Sequence, residues 1–203
     1  MKLTLPWFGR RARRRVVTLD AVACALQSIA RTDKTSRTVG QRIAGTGLKF
    51  NLIDKIEQLT DEKIVAVKYV SLAEEYLADH FPTFPVLPGV MMLEALTQAA
   101  AWVLHRRSGF AKSMAILKEA RNVKYGQFVA PGNSLRVEVE FFKPSDAGAV
   151  FKAAGYVEQA QAVAARIEMS YFNLADKQPE LAAIDARLIE HNKARWNVLK
   201  AGS

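Results

Sequence analysis

Apolar residues change their period along the chain, and the changes mark out elements. From Thr18 to Arg31, Leu19, Val22, Ala23, Leu26, Ile29 and Ala30 recur at helical spacing, which predicts a short amphipathic helix capped by Thr18. Residues 32–48 are rich in Thr, Ser, Gly and basic side chains without a period, so they read as a connector, with the main domain starting near Lys49. Phe50–Leu59 and Ile64–Val70 are β-rich and separated by Thr60-Asp61-Glu62-Lys63, short enough for an antiparallel hairpin. Further strands are expected at Ser113–Ala120, Ser134–Lys143, Ala149–Glu158 and Ala162–Phe172. The last three are joined by short polar or glycine-containing links, as a meander requires.

Between the second and third strands lies Pro88–Arg107, with proline suited to a first helical turn and Gly109 to a C-terminal cap. Val90, Met91, Met92, Leu93, Ala95, Leu96, Ala99, Ala100, Ala101, Trp102, Val103 and Leu104 cover nearly every side of this helix, and a helix apolar all round is buried. One buried helix among several antiparallel strands is an α+β layout in which the sheet wraps the helix, the hot-dog arrangement. Beyond Phe172 the chain turns polar, and Leu181–Leu199 has the pattern of a peripheral helix with Lys193, Arg195 and Lys200 toward its end. The expected organisation is a basic extension over 1–48, a hot-dog domain over 49–175 and a C-terminal helical segment over 176–203.

The formal charge of +9 changes meaning once divided along the chain. Residues 1–49 hold eleven Lys or Arg against two Asp, whereas residues 50–203 hold eighteen of each sign. The whole excess sits in the N-terminal segment, so the folded body needs no polyanionic partner. Arg10, Arg11, Arg13, Arg14 and Arg15 lack interleaved stacking aromatics, a weak nucleic-acid signal. The same segment has no secretory apolar core, since Asp20 interrupts it; an organellar transit peptide and a solvated docking arm both stay open. The single cysteine, Cys24, excludes an intramolecular disulfide and suits a reducing compartment, so a cytoplasmic protein is expected. The most apolar stretch, Val86–Leu104, contains Glu94, Thr97 and Gln98, short of the roughly 20 apolar residues of a membrane span.

Candidate chemistry concentrates between His80 and Gln98. Glu94 is the only ionisable group in the predicted helix before His105, and Val90, Met91, Thr97 and Gln98 around it include no cation. A buried, unpaired carboxylate raises its pKa, so Glu94 is expected to stay protonated near neutral pH and able to donate a proton. Lone acids on apolar helices also serve structural networks. His80 precedes a segment stiffened by Pro82, Pro85 and Pro88, and histidine is the side chain matched to taking a proton at neutral pH. Gly89 falls in the first helical turn, where unpaired backbone N–H groups and the helix dipole favour an anionic oxygen.

In type and spacing, His80-Phe81-Pro82, Pro88-Gly89-Val90, Glu94-Ala95 and Gln98 resemble the signature of the 3-hydroxyacyl-acyl-carrier-protein dehydratases of fatty-acid synthesis, closer to the FabZ-type branch. The resemblance covers roughly Phe50 to Phe172, including Asp54 in the first strand, Lys124-Tyr125 and Ala130-Pro131-Gly132. It implies that His80 removes the C2 proton of a (3R)-hydroxyacyl thioester and that Glu94 protonates the departing C3 hydroxyl. The Gly89 amide would bind the thioester oxygen, with Val90 and Phe81 contacting substrate. It further implies no cofactor and no metal, and an acyl-carrier protein as partner in preference to coenzyme A. The assembly would be a homodimer or a larger oligomer of dimers, each site taking its histidine and acid from different subunits. Glutamate at the acid position resembles the branch that dehydrates without isomerising the double bond.

The chain departs from the family at Thr83, where glycine is common, and at Gly126-Gln127, where an Arg-Arg pair is common. Gly45-Thr46-Gly47-Leu48-Lys49-Phe50 replaces the usual His-Arg-Tyr-Pro-Phe lead-in. Substrate length and carrier docking are affected more than the reaction. Gly45-Thr46-Gly47 lacks the third glycine of a dinucleotide loop, and His105 and His191 lack metal-ligand neighbours. His105 reads as structural, favouring the C-terminal end of its helix. Trp102, Met91 and Met92 read as packing ahead of acyl-tunnel lining. Two competitors share the fold: a thioesterase, which needs a carboxylate to activate water, and a catalytically silent acyl-binding subunit.

Overall fold

A computed structural model describes residues 51–79 and 83–201. The predicted helix at 18–31, the connector, Phe50, His80 and Phe81 therefore lie outside the described residues. The strands are β1 (Lys55–Leu59), β2 (Lys63–Tyr69), β3 (Met114–Tyr125), β4 (Ser134–Ser145), β5 (Gly148–Val157) and β6 (Ala160–Phe172). The helices are α1 (Glu75–Asp79), α2 (Gly89–Arg107) and α3 (Ala182–Ala201), and two 3-10 turns, Leu174–Asp176 and Pro179–Leu181, precede α3. All six strands form one antiparallel sheet in the order β1-β2-β4-β5-β6-β3, so β4, β5 and β6 are the expected meander.

Strand alternation decides which side meets the helix. On β4, Leu135, Val137 and Val139 are fully buried, and Arg136, Glu138 and Glu140 between them face away. Ile64 and Ala66 of β2, Phe151 of β5 and Val163, Ile167 and Met169 of β6 continue the inner face. Against it α2 presents Met92, Ala95, Leu96, Ala99, Ala100 and Val103, all buried. Three of these are alanines, small enough for the helix backbone to settle close to the sheet. Gly148 is required by its neighbour: a Cβ there would lie 2.3 Å from the Met169 carbonyl oxygen.

Several expected boundaries move, each for a local reason. β1 begins at Lys55, because Leu52 and Ile53 are buried in a lead-in that runs outside the ladder. Asp54 consequently precedes the first strand instead of lying in it. β3 runs on to Tyr125, five residues past the expected Ala120; Asn122 absorbs a register shift at φ 53°, letting Lys124 and Tyr125 pair again with β6. The β4–β5 and β5–β6 links shrink to two residues each, Asp146-Ala147 and Glu158-Gln159. Helix α1, too short to show a period, was not anticipated. Helix α2 starts at Gly89, one residue later than expected, with Pro88 as its cap residue instead of in the first turn, and ends with Gly109 at φ 62° donating to the Arg106 carbonyl over 3.1 Å.

The expectation that α2 is buried on every side fails. Val90 is 70% exposed, Glu94 is exposed, and Met91, Leu93, Gln98 and Ala101 are half-buried. In the single chain, one stripe of the helix lies open from its first turn to its third.

Candidate active site

The open stripe begins at the helix N-terminus. Pro88 has no N–H of its own, and its carbonyl accepts Met91 N and Met92 N at 2.9 and 3.1 Å. Among the described residues the Gly89 and Val90 amides have no backbone acceptor, which leaves two donors at the positive end of the dipole. The Tyr125 ring of β3 covers Gly89 so closely that a Cβ would lie 3.0 Å from its Cε1, and a larger residue there would have to displace the ring. Burial raises the Tyr125 phenol above its ordinary pKa. The approach to the helix is pinned as well: Leu87 N donates to Val129 O over 2.8 Å, and Phe84 meets Phe128 edge to face at 5.6 Å.

Val90, Glu94 and Gln98 follow one another on this stripe at single-turn spacing. Gln98 Nε2 donates to Glu94 Oε1 over 3.0 Å, and Gln98 Oε1 accepts Leu52 N over 3.0 Å. Glu94 makes no ion pair among the described residues. It differs from the expectation in two respects, being exposed in the single chain and hydrogen-bonded by Gln98. Its pKa is nevertheless raised, because the protein atoms around the carboxyl displace water; the Gln98 bond works against that rise.

The structure therefore puts Val90 and Glu94 on one helix face, one turn apart, with Gly89 at the start of the same helix. His80 and Phe81 lie outside the described residues; α1 ends at Asp79, directly before them in the chain. The start of α1 is held by Lys68 on β2, only 3% exposed, whose ammonium lies 2.5 Å from Glu74 and 3.3 Å from Asp54. Asp54 also accepts Tyr69 N over 2.7 Å. Sequence reasoning passed over Lys68; the signal was a lone lysine in the apolar run Ile64-Val65-Ala66-Val67, with Glu74 six residues on.

His105 sits at the other end of α2 and belongs to a different cluster. It is 6% exposed, stacked on Phe110 at 5.6 Å, with Nδ1 3.3 Å from the Tyr171 hydroxyl and Nε2 3.5 Å from Asn192 Nδ2. Burial pushes its pKa down to about 4. The imidazole is thus neutral at physiological pH, which corrects the reading of His105 as a charge that favours the helix C-terminus. A cavity of about 680 Å³ lies beside this end of α2, lined by Leu104, Arg107, Lys112, Phe141, Asp146 and Tyr171 among others. Among the described residues no cluster of three or more His, Cys, Asp or Glu offers a metal site, and no helix is long and apolar enough to cross a membrane.

A six-stranded antiparallel sheet packed on one long helix, with an acid on the helix's open stripe, defines a hot-dog protein. Its sequence relatives narrow the class: residues 46–167 match the family model described as a FabA-like domain. A "3-hydroxyacyl-[acyl-carrier-protein] dehydratase FabZ" of Clostridium perfringens is 40% identical over 94 residues, covering 46% of this chain and 68% of the relative. A protein of the same description from Solibacter usitatus is 36% identical over 130 residues, covering 64% and 78%. The chain belongs to the FabA-like family of dehydratases. Among solved structures, the dehydratase heterocomplex ApeI:P of Xenorhabdus doucetiae superposes with a TM-score of 0.57 at 15% identity over 68% of this chain and 93% of that one, a likeness of fold.

Proposed function

We propose that the protein dehydrates (3R)-hydroxyacyl-acyl-carrier-protein to the trans-2-enoyl thioester in fatty-acid or lipid biosynthesis. The observation that carries the proposal is Glu94, one turn past the Gly89 and Val90 amides at the helix start, held by Gln98, with its pKa raised by desolvation. In the reaction His80 takes the C2 proton as base while Glu94 gives its proton to the C3 hydroxyl. The C3–O bond breaks, water leaves, and the C2 electron pair forms the double bond. The Gly89 amide receives the negative charge that grows on the thioester oxygen, with Val90 and Phe81 as substrate contacts. Glutamate in the acid role goes with dehydration alone, so the product keeps its 2,3 double bond.

The partner follows from the names of the relatives, which are carrier-protein dehydratases. The excess positive charge of residues 1–49 would attract an acidic carrier protein, an effect that salt weakens. The enzyme acts as a homodimer or an assembly of dimers. In support, β3 stands at the end of the sheet with its outer edge unpaired among the described residues, and Val90 at the start of α2 is exposed.

The test is an absorbance assay of 3-hydroxyacyl dehydration and enoyl hydration on carrier-protein and coenzyme A substrates at low and high salt. His80→Ala and Glu94→Gln should each lose activity by about a hundredfold or more with folding intact, the range of general acid–base groups. Wild-type protein inactive across chain lengths, or substantial cis-3-enoyl product, would overturn the corresponding part of the proposal.

A further inference from the structure

We propose that Arg195 of the C-terminal helix α3 is a positioning residue: its guanidinium balances the Asp54–Lys68–Glu74 cluster that holds the start of α1, and so braces the segment that leads into His80. The inference rests on the base role of His80 proposed above.

Left to itself the cluster is unbalanced. The buried ammonium of Lys68 faces two carboxylates, Glu74 at 2.5 Å and Asp54 at 3.3 Å. One negative charge is left in excess, in surroundings that screen it poorly. Each carboxylate also has a structural task. Asp54 accepts Tyr69 N over 2.7 Å, which ties the lead-in of β1 to the end of β2. Glu74 opens the turn into α1, its carbonyl accepting Leu77 N over 3.0 Å. Tyr76 of α1 lies in the field of both acids: burial first, then Glu74 and Asp54, raise its phenol above the ordinary pKa. Whatever draws Lys68 toward Asp54 loosens its hold on Glu74. The last residue of α1, Asp79, is followed directly by His80.

The balancing charge comes from α3. This helix lies past residues 46–167 that match the family, whereas Asp54, Lys68 and Glu74 lie within them. Asp185 fixes its start by accepting Leu174 N and Ala175 N at 2.9 and 2.8 Å, Trp196 packs on Trp102 of α2 at 6.3 Å, and Leu199 is buried. The helix also packs against β1, the strand that Asp54 immediately precedes. Half-buried Arg195 thereby enters the field of Asp54: burial lowers its pKa and Asp54 works against that fall. A guanidinium keeps its proton all the same. With Arg195 in place the four groups carry no net charge, and Asp54 no longer competes with Glu74 for the lysine.

Two readouts on the full chain separate the brace from its consequence: amide hydrogen exchange of Glu75–Asp79, and steady-state kinetics on 3-hydroxyacyl-carrier-protein. Arg195→Gln keeps most of the stem and removes the charge. Exchange of α1 should rise about tenfold, as in a segment that opens more often. In the same variant kcat should fall about fivefold with KM within about twofold, as when a base is misplaced and binding is not. Arg195→Lys, which restores the charge, should stay near wild type in both. Asp54→Asn keeps an oxygen for Tyr69 N and removes the excess negative charge, so on that background Arg195→Gln should change exchange and kcat by less than about twofold. Wild-type exchange in Arg195→Gln, or a defect that persists on the Asp54→Asn background, would overturn the brace. Raised exchange with unchanged kcat would overturn its link to His80. Should Arg195→Gln fail to fold, the double variant must still fold, and its failure too would overturn the proposal. An inactive wild type would sink the dehydratase reading instead, while the exchange measurement would still decide the brace.

Discussion

At the scale of single residues, burial sets protonation here more than neighbouring charge does. His105 shows it at the end of α2, where Arg106 and Arg107 beside it in sequence are exposed and rings enclose the imidazole. Its folded pKa of about 4 lies below the ordinary 6.5, so between these values the unfolded chain binds the proton more readily. The stability tied to neutral His105 is complete above pH 6.5 and is lost as pH falls toward 4, by roughly 3 kcal/mol in all. His105→Leu removes the titration, and Tyr171 keeps Ser108 Oγ and Lys112 N as partners at 2.6 and 3.1 Å. Urea unfolding at pH 7 and pH 4.5 should show wild type losing roughly 2–3 kcal/mol more than the variant; parallel losses would refute the assignment. The types and places of Gly89 and Glu94 were legible in the sequence because each follows from helix geometry. Gln98 was visible only as a motif letter and Lys68 not at all: one needs Leu52 and the other Glu74, and spacing does not reveal a partner brought in by the fold.

At the scale of elements, periodicity located the six strands and two long helices, and it failed where an element is short or bent. Helix α1 has five residues, and β3 passes through a left-handed Asn122, so neither presents a clean pattern. The C-terminal helix was read as peripheral from its polarity, yet its attachment is specific. Asp185, 5% exposed, accepts the Ser113 hydroxyl and the Leu174 and Ala175 amides, the latter two at 2.9 and 2.8 Å. Burial works against its ionisation, and these donors outweigh it, holding the carboxyl below its ordinary pKa. Farther along α3, Trp196 packs 6.3 Å from Trp102 of α2, and Leu199 is buried. This helix lies beyond residues 46–167 that match the family, and it meets α2 through Trp196 and Trp102. Asp185→Ala leaves two backbone donors and a hydroxyl without their acceptor and should cost about 2–3 kcal/mol by urea unfolding. Asp185→Asn, which retains one acceptor oxygen, should cost less. Equal and small losses in both would mean that α3 is held by its aromatic contacts alone.

At the scale of the whole molecule, three features lie open among the described residues: the outer edge of β3, the Val90–Glu94–Gln98 stripe, and Tyr125 beside Gly89, 42% exposed. A second copy seated there would pair the edge, cover exposed Val90 and deepen the desolvation that already raises the Glu94 pKa, which keeps the acid protonated at higher pH. If the proposed dimer draws His80 from one subunit and Glu94 from the other, each lesion disables both sites of its own homodimer. A mixed dimer of His80→Ala and Glu94→Gln then holds one site with both lesions and one intact. Co-refolding the two inactive variants in equal amounts makes half the dimers mixed, so about a quarter of wild-type activity should return. Activity that stays at the level of the separate variants, with mixed dimers verified by distinct tags, would place both groups in one subunit and remove the reason for an obligatory dimer.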